Sequence, residues 1–197
     1  MRTQIGVCAL QGDVAEHIRA VEACGADAVQ VRTPADLEHV GGIILPGGES
    51  PTIGKLLARV GLDTAIARRA REGMPVYGTC AGMILLAQEA SGGEPALLKL
   101  MDIAVARNAY GRQRESFEAL VEAPAVDPAP FRVMFIRAPV ITRAGPRVEV
   151  LARHAGDPVL VRQGRLLASS FHPEIARYLG IHRYFCALVV DAQVVSH

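Results

Sequence analysis

A cysteine, a histidine and a glutamate stand in settings that would supply a nucleophile, a base and an orienting carboxylate. Cys80 is the centre of Gly78-Thr79-Cys80-Ala81-Gly82, entered by the apolar run Pro75-Val76-Tyr77 and left by the helix-prone run Met83-Ile84-Leu85-Leu86-Ala87. That order predicts a strand, a sharp turn carrying the thiol, and a helix. It is the nucleophile elbow, in which glycines two positions either side of the nucleophile leave room for a strained backbone. The helix brings N–H groups and the positive end of its dipole to the sulfur. A free thiol is only a few per cent ionised at neutral pH, so such surroundings decide whether a cysteine attacks.

The base is expected in Phe171-His172-Pro173-Glu174. Residues at i and i+2 of an extended chain point to the same side, and proline biases the residue before it away from helix. Glu174 can therefore orient the imidazole of His172 toward Cys80, completing a Cys-His-Glu set. Alone, the tripeptide would read as a surface turn. The other histidines, His17 in a helix, His39 beside a turn, His154 in a loop, His182 at a helix start and His197 at the terminus, read as surface or capping residues. Pro46-Gly47-Gly48-Glu49-Ser50 follows a strand whose carboxyl end should lie near the elbow. Backbone N–H groups of Gly47 and Gly48, with that of Ala81, would form an oxyanion hole. By itself a Gly-Gly pair is an ordinary turn, and the segment lacks the length and lysine of a phosphate-binding loop.

The elements that must hold these residues follow from hydrophobic patterning. Ile5 to Leu10 is an unbroken apolar run, as expected of a strand covered on both faces. A helix with Val14, Ile18 and Val21 on one face then runs to Gly25. Further strands at Ala28 to Val31 and Gly42 to Leu45 are separated by a short helical piece from Pro34 to His39, and a helical region from about Thr52 to Glu72 breaks near Gly61. This is the order of a doubly wound α/β sheet, which gathers ligands at the carboxyl ends of its strands. Beyond about Ala90, strand-like runs at 102–106, 117–121, 132–136 and 148–151 have no long helix between them. The runs at 159–162 and 166–171 read as a hairpin, and 181–190 as a packed helix. The expected fold is a mixed, mostly parallel central sheet flanked by helices, with added antiparallel strands.

The chain has 197 residues, so one domain over 1–197 is the simplest count. Its 21 basic and 20 acidic residues leave a formal charge of +1, which gives no reason to expect nucleic acid or a membrane surface as partner. No apolar stretch approaches the ~20 residues needed to span a bilayer. Met1-Arg2-Thr3-Gln4 runs straight into a strand-like segment without a signal peptide, so a cytoplasmic location is expected. The four cysteines show no metal-binding or disulfide spacing; Cys8, Cys24 and Cys186 read as small core residues.

Together, Leu10-Gln11-Gly12, Leu45-Pro46-Gly47-Gly48-Glu49-Ser50, Gly78-Thr79-Cys80-Ala81-Gly82 and Phe171-His172-Pro173-Glu174 resemble the motifs of class I, triad-type glutamine amidotransferases. Ala9-Leu10-Gln11-Gly12 with Glu16-His17, Arg107-Asn108-Ala109-Tyr110-Gly111-Arg112-Gln113 and Phe135-Ile136-Arg137-Ala138-Pro139 are similar, more narrowly, to the glutaminase subunits of pyridoxal 5′-phosphate synthases. The resemblance runs from Ile5 to about Glu174. It implies hydrolysis of L-glutamine to glutamate and ammonia through a γ-glutamyl thioester on Cys80, with His172 as base and Glu174 as its partner. It implies glutamine binding by Gly47, Gly48, Glu49, Arg107, Ile136 and Arg137; the arginines suit an α-carboxylate and Glu49 an α-ammonium. Ammonia would pass to a separate synthase subunit, and Gln11 would lie near the face that senses this partner. No metal or cofactor of the chain's own is implied. Two departures stand out: Pro51 replaces the family's usual threonine, and Ile175-Ala176-Arg177-Tyr178-Leu179-Gly180 lacks its usual threonine and acidic residues.

Other readings remain at this stage. A glutaminase serving a different acceptor would keep the same triad, a cysteine hydrolase would keep the elbow without preferring glutamine, and a silent regulatory subunit would have no use for all three residues.

Overall fold

The computed structural model describes residues 3–92, 96–107 and 116–195. In chain order the elements are β1 (Gln4–Cys8), α1 (Val14–Ala23), β2 (Asp27–Val31), α2 (Pro34–Leu37), β3 (Gly42–Leu45), α3 (Ser50–Val60), α4 (Leu62–Arg71), β4 (Val76–Thr79) and α5 (Ala81–Leu86). They continue with β5 (Ala87–Ser91), β6 (Met101–Ala106), β7 (Ser116–Ala123), β8 (Asp127–Ile136), β9 (Val140–Ala144), β10 (Glu149–His154), β11 (Asp157–Gln163), β12 (Leu166–Ser169) and α6 (Gly180–Val195).

The main sheet has the order β10-β11-β12-β4-β3-β1-β2. From β12 to β2 every pairing is parallel, and β11 and β10 extend the edge antiparallel. The apolar strand runs are explained by cover on both faces. Ile43, Leu45 and Val76 point into one core with α3, α4 and α5, whereas Ile44 and Tyr77 point into the other with Val21 of α1 and Phe185 of α6. Each residue step thus switches the core a side chain enters, as a period of two demands.

Two small sheets lie outside this layer. β5, β6 and β9 form one and add Met101, Ile103 and Ile141 to the α3/α4/α5 core. The β7–β8 hairpin forms the other and adds Val121, Phe131, Val133 and Phe135 to the opposite core. The expectation that the second half contributes antiparallel strands holds; β10, β11 and β12 join the main sheet, β12 in parallel with β4.

Several local expectations change. The first strand ends at Cys8, and Ala87, grouped by sequence with the elbow helix, opens β5. The buried residues of α1 are His17, Ala20 and Val21, so the helix is rotated from the Val14-Ile18-Val21 face. Cys8 is a core residue, but Cys24 and Cys186 are only half-buried. His17 and His182 are fully enclosed, not surface or capping residues, while His39 is exposed as expected. No helix among the described residues is long and apolar enough to cross a membrane.

Candidate active site

The elbow forms as its glycines require. Cys80 has φ 49° and ψ −101°, outside the conformations non-glycine residues favour, and α5 starts at the next residue. A Cβ on Gly78 would run into the Gly82 backbone, and one on Gly82 into the carbonyl of Leu45 at the end of β3. Strand, turn and helix therefore pass too closely for side chains at either position. The Cys80 amide donates to Ser169 O at 2.8 Å, anchoring the turn to β12, and the thiol faces Ile136 O at 3.9 Å.

β12 leads directly to His172. The His172 amide donates to Met134 O at 2.8 Å, a bridge that holds the Phe171–Glu174 segment against β8. The imidazole shares a cleft with the Cys80 thiol, which favours its protonated form, and its Nδ1 donates to Glu174 Oε1 at 2.7 Å. The i, i+2 relation between His172 and Glu174 thus produces the expected contact. Burial alone disfavours the imidazolium, but interactions with Asp13, Cys80 and Glu174 outweigh it, and the His172 pKa is pushed up to about 12. Burial acts in the opposite sense on Glu174, raising its carboxyl despite the contact with His172. The other oxygen, Oε2, is buried without a partner.

Behind Cys80, His172 and Glu174 lies a polar wall that the sequence did not reveal. His17 Nε2 is 3.2 Å from Thr79 Oγ1 and 3.6 Å from Glu174 Oε1, and its Nδ1 is 3.0 Å from His182 Nε2. Burial, followed by repulsion from neighbouring imidazoles, keeps His17 neutral; burial lowers His182 to about 4. Tyr77 and Ser169 close the wall with a 3.0 Å hydroxyl contact. The sequence does carry a signal for His17: the i, i+3, i+4 face of His17, Ala20 and Val21 is as regular as that of Val14, Ile18 and Val21.

Asp13, Gly48, Glu49, Cys80, Ala81, Ile84, Arg107, Ile136, Arg137, Pro139 and His172, with Ser50 and Ile175, line a cleft of about 190 Å³. That is below the ~300–1,000 Å³ of drug-sized sites, as suits an amino acid. Glu49 and Arg137 face each other at 3.1 Å, both largely exposed, and Arg137 has φ 42°. Arg107 is held by Gly92 O at 3.1 Å. Gly47 is set back from the cleft wall, where a Cβ would strike the ring of His172. Gln11 accepts the Glu49 amide at 2.9 Å, joining the β1–α1 turn to the Gly-Gly loop. The expected stretch at 108–113 lies outside the described residues. Asp13, His172 and Glu174 bring three ligand-type atoms within 4.8 Å of one another. A metal on His172 Nδ1 would displace the proton Glu174 accepts, so the arrangement reads as a hydrogen-bonded imidazole.

The SNO glutamine amidotransferase family model matches residues 7–191. The chain belongs to this family. The chain is 53% identical over 189 residues to a pyridoxal 5′-phosphate synthase subunit PdxT of Pelotomaculum thermopropionicum, covering 96% of each. To the subunit of the same name in Thermotoga neapolitana it is 48% identical over 186 residues, covering 94% of this chain and 99% of that one. A crystal structure of a glutamine amidotransferase, 48% identical, superposes with a TM-score of 0.90 over 94% of this chain and 98% of that chain.

Proposed function

We propose that this SNO-family amidotransferase releases ammonia from L-glutamine as the glutaminase subunit of a pyridoxal 5′-phosphate synthase. The observation that carries the reading is the His172 imidazole, hydrogen-bonded through Nδ1 to the Glu174 carboxylate and lining one cleft with Cys80. Cys80 Sγ, its proton already held by His172, attacks the side-chain amide carbon. The proton then leaves with the ammonia, giving a γ-glutamyl thioester. Water, deprotonated by His172, cleaves the thioester to glutamate and restores the thiol.

Backbone N–H groups of Gly47, Gly48 and Ala81 receive the developing oxyanion, a contribution that typically amounts to about 2.7–4 kcal/mol per donor. Glutamine is a zwitterion, so its α-carboxylate suits Arg107 and Arg137 and its α-ammonium suits Glu49, exchanging the internal Glu49–Arg137 contact for contacts with substrate. Ile136 packs against the substrate from the β8 side. Residues 1–197 act as one domain without a metal or cofactor of their own, in the cytoplasm. Ammonia passes to the synthase subunit, consistent with the names of the relatives, and Gln11 transmits that partner's docking to the Gly-Gly loop through the Glu49 amide.

Ammonia release by wild type and Cys80→Ala, each with and without a candidate synthase subunit, tests this. Glutamine-dependent release that needs Cys80 and rises with the partner is expected. Release unaffected by Cys80→Ala overturns it.

A further inference from the structure

Asp13 holds a position that neither its helix nor the three triad residues explain. It is the N-cap of α1, where an aspartate ordinarily accepts a hydrogen bond from a first-turn amide, yet its side chain makes no such bond. Instead Oδ2 lies 3.3 Å from His172 Nδ1, the nitrogen that donates to Glu174 at 2.7 Å. The placement is held by the backbone: the Asp13 amide donates to Gly47 O at 3.2 Å. A Cβ on Gly47 would come within 2.8 Å of Asp13 Oδ2 and collide with the imidazole as well. Turn, glycine and ring are thus fitted to one another.

The two carboxylates are not equivalent. The Glu174 side chain is 0% exposed and that of Asp13 32%. Asp13 also borders both the substrate cleft and the neighbouring groove along α1, flanked there by Glu16, Arg19 and Arg177. The titratable groups facing His172 are Cys80 from the elbow, Glu174 from its own segment, Asp13 from the β1–α1 turn and, behind Glu174, His17 of α1. Glu49, Arg107 and Arg137 face the same cleft.

We propose that Asp13 is a positioning residue of the glutaminase reaction: a second carboxylate that, with Glu174, holds His172 by Nδ1 and stabilises the imidazolium formed when Cys80 yields its proton. The inference rests on the triad reading above. Glu174 fixes the ring from the interior, and Asp13 adds negative charge at the same nitrogen from the side that borders the cleft.

The test uses the enzyme with its synthase partner and compares wild type, Asp13→Asn, Asp13→Ser and Cys80→Ala. kcat and KM for glutamine are measured against pH, along with the pH dependence of Cys80 alkylation by iodoacetamide. Asp13→Asn should lower kcat about 10-fold with KM little changed. Losing a negative charge beside the imidazolium should move the alkaline limb of both profiles to lower pH. Asp13→Ser, a good N-cap, should do the same with α1 intact. A folded Asp13→Asn or Asp13→Ser with unmoved limbs overturns the role of Asp13, whatever kcat does, while leaving the triad standing if Cys80→Ala is inactive. An active Cys80→Ala overturns the triad reading and the Asp13 role with it.

Discussion

His17 Nδ1 and His182 Nε2 meet at 3.0 Å in a region closed to solvent, joining α1 to α6 behind His172 and Glu174. Both imidazoles are neutral there. Because their folded pKa values lie below the unfolded one, the unfolded chain binds more protons between the two. Their contribution to stability is therefore complete above about pH 6.5 and is lost as pH falls toward 4. For His182 the displacement from 6.5 to about 4 corresponds to roughly 3 kcal/mol. Urea unfolding between pH 4 and 7.5 should show stability falling with acid, and His182→Gln should flatten that dependence. A parallel decline in the variant would assign it to other groups.

Gly47→Ala should cripple catalysis while sparing the fold. The new methyl group meets the His172 ring and the Asp13 carboxylate. A misplacement of about 1 Å at a reacting group costs on the order of 100-fold. Turnover should fall by that order, with the circular dichroism spectrum and melting temperature close to wild type.

Glu49→Gln separates binding from stability. The Glu49–Arg137 pair is exposed, so losing it should change stability by about 1 kcal/mol or less. If Glu49 receives the α-ammonium, removing a charge-assisted contact of about 1.5–3 kcal/mol should raise KM roughly 10- to 100-fold. Unfolding curves and glutamine saturation curves together check this; an unchanged KM would remove Glu49 from the substrate site.

Gln11→Ala removes the acceptor of the Glu49 amide. Turnover stimulated by the synthase subunit should drop while basal turnover is affected less. Equal stimulation in wild type and variant would make Gln11 a simple loop residue.

The elbow and the H-P-E segment were legible because their chemistry is local: glycine spacing, one proline and an i, i+2 relation are all short-range. The parallel strands were legible as unbroken apolar runs, since burial on both faces leaves that trace. Ala87 was misgrouped because α5 lasts only six residues before the chain crosses to a second sheet, and nothing in an apolar alanine marks the crossing. His17, His182 and Asp13 escaped because their surroundings are made by segments distant in sequence. A polar residue looks solvent-facing until its partners are known, and those of His17 lie 62 and 165 positions away, at Thr79 and His182.

Strand β8 offers its Met134 carbonyl to the backbone of His172 and its Ile136 carbonyl to the Cys80 thiol. Two carbonyls on one strand, two residues apart, thus serve as a common ruler for the thiol and the imidazole. A slip in the hairpin would misplace sulfur and imidazole together, so defects introduced there should appear as loss of the whole reaction, with no partial step left to observe.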